Sequence, residues 1–227
     1  MLLLVLASAL MPVGVSALVP PSATAGAAPS RTCASLQGKH LIGHGARATV
    51  LTRLLNRESE RSGLERVAYV CASQHARAWK VGSVSAPSEP PGISLVTGAG
   101  EWVVLRFSSV IGEGFSESEL AANALTGRHF RFWSASGGMG SLFGSQLEAV
   151  QIDAQGRLAL ILGVAGTPKA EGEQAPIVER KVVGVEANGT RRTLDTAATA
   201  SIPTSSLKLV GGIVHWSDAG VERSAAP

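Results

Sequence analysis

The chain has 227 residues, a formal net charge of +3 and an apolar fraction of 45%. This composition excludes a wholly disordered protein and is sufficient for one domain with its own core. The arginines are scattered, and no basic run is longer than Arg191–Arg192. The charge pattern therefore predicts no nucleic-acid binding.

The N-terminal segment, residues 1–19, is apolar and uncharged, and small-residue motifs follow it at Ala23-Thr24-Ala25 and Ala25-Gly26-Ala27. An apolar stretch followed by such a motif is typical of a secretory signal peptide. We therefore predict a signal peptide over residues 1–27, a single domain over 28–227, and a secreted or cell-envelope location. The alternative is an uncleaved anchor, which would place the protein at a membrane.

The chain contains two cysteines, Cys33 and Cys71. An isolated pair in an oxidising compartment usually forms a bond, so we predict a disulfide between them. Neither cysteine has further cysteines nearby at metal-ligand spacing, and we predict no metal site.

Apolar residues come in short runs separated by Gly, Ser, Asn or Pro, which is typical of strands. Two further stretches, 47–60 and 116–125, are also compatible with helix. The second begins Ser116-Glu117-Ser118-Glu119, which resembles a helix cap, so both a strand and a short helix stay open for it. The predicted strands, in chain order, are 66–72, 77–81, 102–108, 128–133, 146–152, 157–163, 180–186, 190–195, 206–210 and 213–217.

Strand pairs recur along the chain. Segments beginning at Ser94, Leu147 and Ser206 each read as a strand, a turn containing glycine and a second apolar strand. The second strands begin at 101, 157 and 213, a period of 56 residues. Segments 119–133 and 181–195 align with each other in the same way, and Asn188-Gly189 in the latter favours a two-residue hairpin turn.

These pairs predict a four-stranded antiparallel meander as the repeating unit. Units of this kind favour an all-β fold that forms a small or partial β-propeller, with a β-sandwich as the alternative. The last unit is only half as long as the others, and we expect strands from the N-terminal region to complete it.

The stretches 65–83 (ERVAYVCASQHARAWKVGS), 182–206 (VVGVEANGTRRTLDTAATASIPTSS) and 205–225 (SSLKLVGGIVHWSDAGVERSA) resemble a group of secreted actinobacterial proteins with β-propeller-like repeats. The resemblance covers most of the chain after residue 27. It implies an exported protein with a propeller-like fold, but it implies no activity and no functional residues.

No motif for catalysis or cofactor binding is present. The histidines do not form a metalloprotease pattern, no nucleophile elbow is found, and the glycine-rich stretch 134–145 lacks the lysine of a phosphate-binding loop. We predict no catalytic residues, no metal ligands and no cofactor. We place the acidic residues 113, 117, 119, 171 and 173 in loops, and interpret the four tryptophans as packing between sheets.

Short and long connections alternate along the predicted strands. The short turns are 98–101, 125–127, 154–156, 188–189 and 211–212, and the long connections are 84–92, 109–118, 134–145, 164–179 and 196–204. In a meander, all long connections then lie at one end, and binding residues concentrate on such loops. The candidate binding residues at this end are Phe115, Met139, Phe143, Lys169, Glu171 and Glu173.

The leading hypothesis is an extracytoplasmic binding module that recognises an extracellular protein, a glycan or a cell-wall component through the long loops. One alternative is a carbohydrate-active hydrolase or lyase that uses a pair of loop carboxylates. Another is a purely structural repeat domain. A pocket with two convergent carboxylates of raised pKa would favour the enzyme.

Overall fold

The computed structural model describes residues 31–32, 39–44, 47–57, 63–72, 77–86, 91–112, 114–138, 145–168 and 175–227. The described part is all-β: sixteen strands in four antiparallel sheets, and one 3-10 helix, Thr204–Ser206. In this part of the chain, no helix is long and apolar enough to cross a membrane. The predicted signal peptide lies outside the described residues.

Each sheet is a meander of consecutive strands. Sheet 1 contains β1 (Arg31–Thr32), β2 (Lys39–His44), β3 (Ala48–Arg57), β4 (Gly63–Ala72) and β5 (Arg77–Ala86). Sheet 2 contains β6 (Gly92–Ala99), β7 (Trp102–Ile111), β8 (Gly114–Asn123) and β9 (His129–Gly138). Sheet 3 contains β10 (Ser145–Ile152), β11 (Leu158–Ala165), β12 (Ile177–Val185) and β13 (Arg191–Ala198). Sheet 4 contains β14 (Lys208–Val210), β15 (Ile213–Asp218) and β16 (Val221–Ala225).

Strand order follows chain order in every sheet except sheet 1, where β1 pairs with the far edge of β5. The described N-terminal strands, β1 and β2, therefore both belong to sheet 1 and do not complete sheet 4. The predicted segments beginning at Ser94, Leu147 and Ser206 form the β6–β7, β10–β11 and β14–β15 hairpins. Each is the first hairpin of its sheet.

The core consists of layers between successive sheets. On β7, Val103 and Leu105 belong to the cluster shared with sheet 1, whereas Trp102 and Val104 belong to the cluster shared with sheet 3. Because side chains alternate along a strand, a sheet that is covered on both faces needs apolar residues at every position. This explains the continuous apolar run at the start of β7.

Sheet 3 repeats the arrangement. Leu158 and Leu160 on β11 pack toward sheet 2, while Ala159 and Ile161 pack toward sheet 4. The first strand of each sheet also contacts the first strand of a neighbouring sheet, in the order β2–β6, β6–β10 and β10–β14. Strand β1 is an extra strand at the edge of sheet 1. When it is left out of the numbering within that sheet, the first strands of the four sheets lie side by side.

Tight turns join the strands at one end of the sheets, which we call the turn end. In the β10–β11 turn, the Asp153 carboxylate accepts hydrogen bonds from the backbone N–H groups of Gln155 and Arg157. Gly156 completes this turn with a φ of +84°. A short acceptor at the start of the turn and a glycine at its left-handed position explain why the chain reverses here.

The turn glycines also join neighbouring sheets. Gly127 lies against the ring of Trp79, Gly156 against Trp102, and Gly189 against Phe130. In each contact, the ring belongs to the sheet that precedes the glycine's own sheet. The prediction that tryptophans pack between sheets is confirmed for Trp102, Trp133 and Trp216, which are buried in the layers between sheets.

Of the strand and helix alternatives left open for 47–60 and 116–125, the structure shows the strand: residues 48–57 and 114–123 are β3 and β8, because the β-ladders on both sides satisfy their backbone groups. Two local predictions were wrong. The stretch 109–118 is not a long connection, since β7 and β8 pair as far as Ile111 and Gly114. The turn at Asn188-Gly189 spans residues 186–190, and of these only Gly189 has a positive φ, so it is not the two-residue hairpin turn.

Cys71 lies on β4 and is buried, at 1% exposure. Cys33 lies outside the described residues, so the disulfide stays a prediction. The described residue just before it in the chain, Thr32, pairs with Arg77 on β5, and β5 is the direct neighbour of β4. The backbone of β1 therefore runs two strands away from Cys71.

Candidate functional site

The two ends of the sheets differ. At the turn end, the glycines Gly127, Gly156 and Gly189 lie against rings of the preceding sheet. At the opposite end, which we call the loop end, sheet 2 carries a cleft of about 310 Å³. Its lining consists of small and polar side chains with one aromatic ring: Gly92, Ser108, Ser109, Val110, Phe115, Ser116 and Glu117.

The register of sheet 2 explains why these residues meet. Gly92 on β6 is opposite Ser108 on β7, and Ser108 is opposite Glu117 on β8. Val110 and Phe115 form the last but one pair before the β7–β8 turn. The cleft is therefore built on paired strands at the end of the sheet, and such a support holds side chains more rigidly than a free loop.

Gly92 is needed for the shape of the cleft. A Cβ atom at this position would overlap the Ser108 hydroxyl oxygen. Absence of a side chain on β6 thus leaves the space in which the Ser108 hydroxyl sits. The same position shows that the backbone of β6 approaches the lining of the cleft closely.

A charged cluster lies beside the cleft. The Arg106 guanidinium donates from Nε and Nη2 to Glu119 Oε1, at 2.8 and 2.6 Å. Its Nε also lies 3.3 Å from Glu117 Oε1. Alternation along β8 places Glu117 and Glu119 on one face of the sheet, with Arg106 opposite them on β7. One arginine therefore holds two carboxylates, one in the cleft lining and one behind it.

Glu119 is fully buried, with a side-chain exposure of 0%. Burial raises the pKa of this carboxyl above its ordinary value, although the hydrogen bond and the charge of Arg106 act in the opposite direction. Its second oxygen, Oε2, has no hydrogen-bond partner within the described part of the chain. The buried indole Nε1 of Trp133, whose residue pairs with Glu119 across β8 and β9, is likewise without a partner there.

Of the predicted binding residues, Phe115 is in the cleft lining. The other five, Met139, Phe143, Lys169, Glu171 and Glu173, lie outside the described residues. Their role as binding residues stays a prediction.

The placement of Glu117 and Glu119 in a loop was wrong, because both lie within β8. Ser108, Ser109 and Arg106 were not identified as site residues. The sequence Ser116-Glu117-Ser118-Glu119 contained a signal for this cluster, because in a strand an i, i+2 spacing places both carboxylates on the same face.

A second cleft, of about 280 Å³, lies between sheets 1 and 2. Its lining joins β5 to β7, β8 and β9: Val81, Gly82, Ser83, Phe107, Leu120, His129, Phe130 and Arg131. The exposed His129 ring makes its hydrogen bond to the Gly127 carbonyl in the nearby turn, at 2.9 Å. This cleft is a gap between two packed sheets.

Metal ligation has no support in the described residues, which contain no group of three or more His, Cys, Asp or Glu side chains that could hold an ion. Nucleophilic or acid–base chemistry would need a carboxylate pair that flanks an open space. Here Arg106 lies between the two carboxylates as a shared partner, and Glu119 is not part of the cleft lining. The arrangement is suited to holding a ligand.

The fold defines an all-β protein of four antiparallel sheets with a cleft at the loop end of sheet 2. No protein-family model, curated protein or solved structure matches this chain.

Proposed function

We propose that this protein is an extracytoplasmic binding module whose ligand occupies the cleft at the loop end of sheet 2. The observation that carries the proposal is the lining itself, in which Phe115 supplies an apolar ring and Glu117 and Ser108 supply polar groups on the same face of the sheet. A concave site with an apolar wall and a few converging polar groups is the usual form of a small-ligand site. Export rests on the apolar segment at residues 1–19.

The proposal includes a partial propeller. Four sheets of consecutive strands pack face to face, and their first strands are neighbours across the stack. In propellers, loops from successive sheets share one end of the stack and form a common surface. The predicted residues from other loops, such as Met139 and Lys169, would then surround the same cleft.

A carbohydrate-active enzyme is the second candidate, because Glu119 has a raised pKa and lies near a second carboxylate. A catalytic acid must reach the bond that it protonates. Glu119 has no exposed surface and uses Oε1 to bind Arg106. These contacts favour a structural role for Glu119 and binding as the function of the cleft.

The proposal is tested by the binding of the labelled mature protein to cell-envelope material from its source. We expect saturable binding that falls at least about tenfold in Phe115→Ala, because the substitution removes the apolar wall of the cleft. Leu125→Ala is the matched control, since Leu125 is an exposed apolar residue of the β8–β9 turn at the opposite end. Equal loss in both variants, or no loss in Phe115→Ala, would contradict the proposal.

A further inference from the structure

The cleft has an unbalanced charge. Of the seven residues in its lining, Glu117 is the only one with an ionisable side chain. The side chain of Glu117 is about a quarter exposed, at 26%. Among the described residues of the lining, a ligand therefore meets one carboxylate, that of Glu117.

Arg106 is shared between Glu117 and the buried Glu119. Its two short contacts, 2.8 and 2.6 Å, both go to Glu119 Oε1, whereas its contact with Glu117 is longer, at 3.3 Å. Two carboxylates share one guanidinium, so the cluster carries an excess negative charge whenever both are ionised. A positively charged ligand group beside Glu117 would supply the missing cation.

The remaining lining indicates what carries that cation. Ser108 is opposite Glu117 in the β7–β8 ladder and shares its face of the sheet, and its hydroxyl group can both donate and accept a hydrogen bond. Such a group is suited to bond a hydroxyl of the ligand. A lysine side chain would instead need a mainly apolar channel for its four methylene groups. Phe115 provides one apolar surface, on which the apolar face of a sugar ring can lie.

The volume sets the size of the ligand. A cleft of about 310 Å³ is at the lower limit of the usual range for ligand pockets, roughly 300–1,000 Å³. It accommodates one small ligand unit and not a folded partner. The rest of a longer glycan would extend from the loop end into solvent.

We propose that the cleft binds an amino sugar with a free amino group, such as a glucosamine unit of a deacetylated glycan. The protonated amine pairs with Glu117, a sugar hydroxyl bonds to Ser108, and the ring packs against Phe115. This inference rests on the proposed binding function of the cleft, and it adds the chemical class of the ligand.

The test uses calorimetric titration of the mature protein with glucosamine tetramer, N-acetylglucosamine tetramer and a tetralysine peptide. We expect the glucosamine tetramer to bind at least about tenfold more tightly than the acetylated one, because acetylation removes the charge. Glu117→Gln should weaken this binding at least about tenfold and leave any binding of the acetylated tetramer unchanged. Glu222→Gln is the matched control, since Glu222 is an exposed glutamate on β16 of sheet 4.

The outcomes separate the inference from the proposed function. Equal binding of both tetramers, or an unchanged affinity in Glu117→Gln, overturns the amino-sugar assignment. Tighter binding of the peptide overturns it in favour of a cationic protein ligand. If envelope binding depends on Phe115 while no glucosamine tetramer binds, the ligand class is wrong and the binding function stands. If envelope binding is independent of Phe115, the proposed function fails.

Discussion

Replacing Arg106 with alanine is expected to lower the free energy of unfolding by about 2–3 kcal/mol at neutral pH. The substitution removes the hydrogen-bond donors of a carboxylate that has no exposed surface. Loss of one partner of a fully buried pair costs about 3–5 kcal/mol. We expect less here because Arg106 itself is about a third exposed, and solvent weakens its interaction.

The destabilisation should depend on pH. Burial raises the pKa of Glu119 in the folded protein above its ordinary value of 4.5. The folded state therefore binds this proton more tightly than the unfolded state does. The contribution of this group to stability is complete below the ordinary pKa and is lost as the pH rises through the raised pKa. Removing Arg106 raises the pKa further and extends this loss to higher pH.

Chemical denaturation of the native protein and of Arg106→Ala between pH 4 and pH 8 measures the difference in their free energies of unfolding. The deficit of Arg106→Ala should grow with increasing pH and shrink toward pH 4. In Arg106→Met/Glu119→Leu, which replaces the pair by apolar side chains, stability should recover relative to Arg106→Ala, and the pH dependence that comes from Glu119 should be absent. Arg223→Ala is the control for an exposed ion pair, and we expect a loss of at most about 1 kcal/mol. A deficit that is independent of pH would show that Glu119 is not the cause.

The sequence contained enough information to predict the all-β class. Runs such as Trp102-Val103-Val104-Leu105 are apolar at every position because sheet 2 is covered on both faces. The hairpins that begin at Ser94 and Leu147 were also placed correctly, since glycine turns separate their strands. Local residue choice and final structure agree at these positions.

The site was predicted less well, for a physical reason. Residues 116–119 contain no apolar side chain, and they lie within a strand because β7 and β9 pair with both of its edges. The partner of Glu119 is Arg106, thirteen residues away, and only the register of the ladder brings them together. Neighbours in the sequence carry no information about such a contact. Phe115 was identified as an apolar residue of the predicted long connection 109–118, which the structure shows to be paired strand.

Replacing Gly156 with alanine is expected to cost about 3 kcal/mol, for two separable reasons. The first is the backbone, because a φ of +84° is strained for a residue with a Cβ atom, at a cost of roughly 1–2 kcal/mol. The second is the contact with sheet 2, because the added methyl group would overlap the indole of Trp102. Forcing an extra methyl into a packed layer costs roughly 1–3 kcal/mol more.

Gly220→Ala separates these two causes. Gly220 has nearly the same φ, +81°, but nothing lies within 4 Å of a Cβ atom built there. We expect this control to lose only the backbone part, about 1 kcal/mol, in the same denaturation assay. Equal losses in the two variants would mean that the ring of Trp102 moves away without cost, and that the turn of sheet 3 is not fixed against sheet 2.

A double-mutant cycle tests the contact directly. In a Trp102→Phe background, the smaller ring leaves space beside the turn, so Gly156→Ala should cost less than it does in the native protein. The difference between the two costs is the coupling between turn and ring, and residues in contact typically show roughly 0.5–3 kcal/mol. The same kind of contact joins Gly127 to Trp79 and Gly189 to Phe130. A measurable coupling at Gly156 would therefore indicate that a ring-on-turn contact fixes sheet 3 against sheet 2, and the equivalent contact of Gly127 would do the same for sheet 2 against sheet 1.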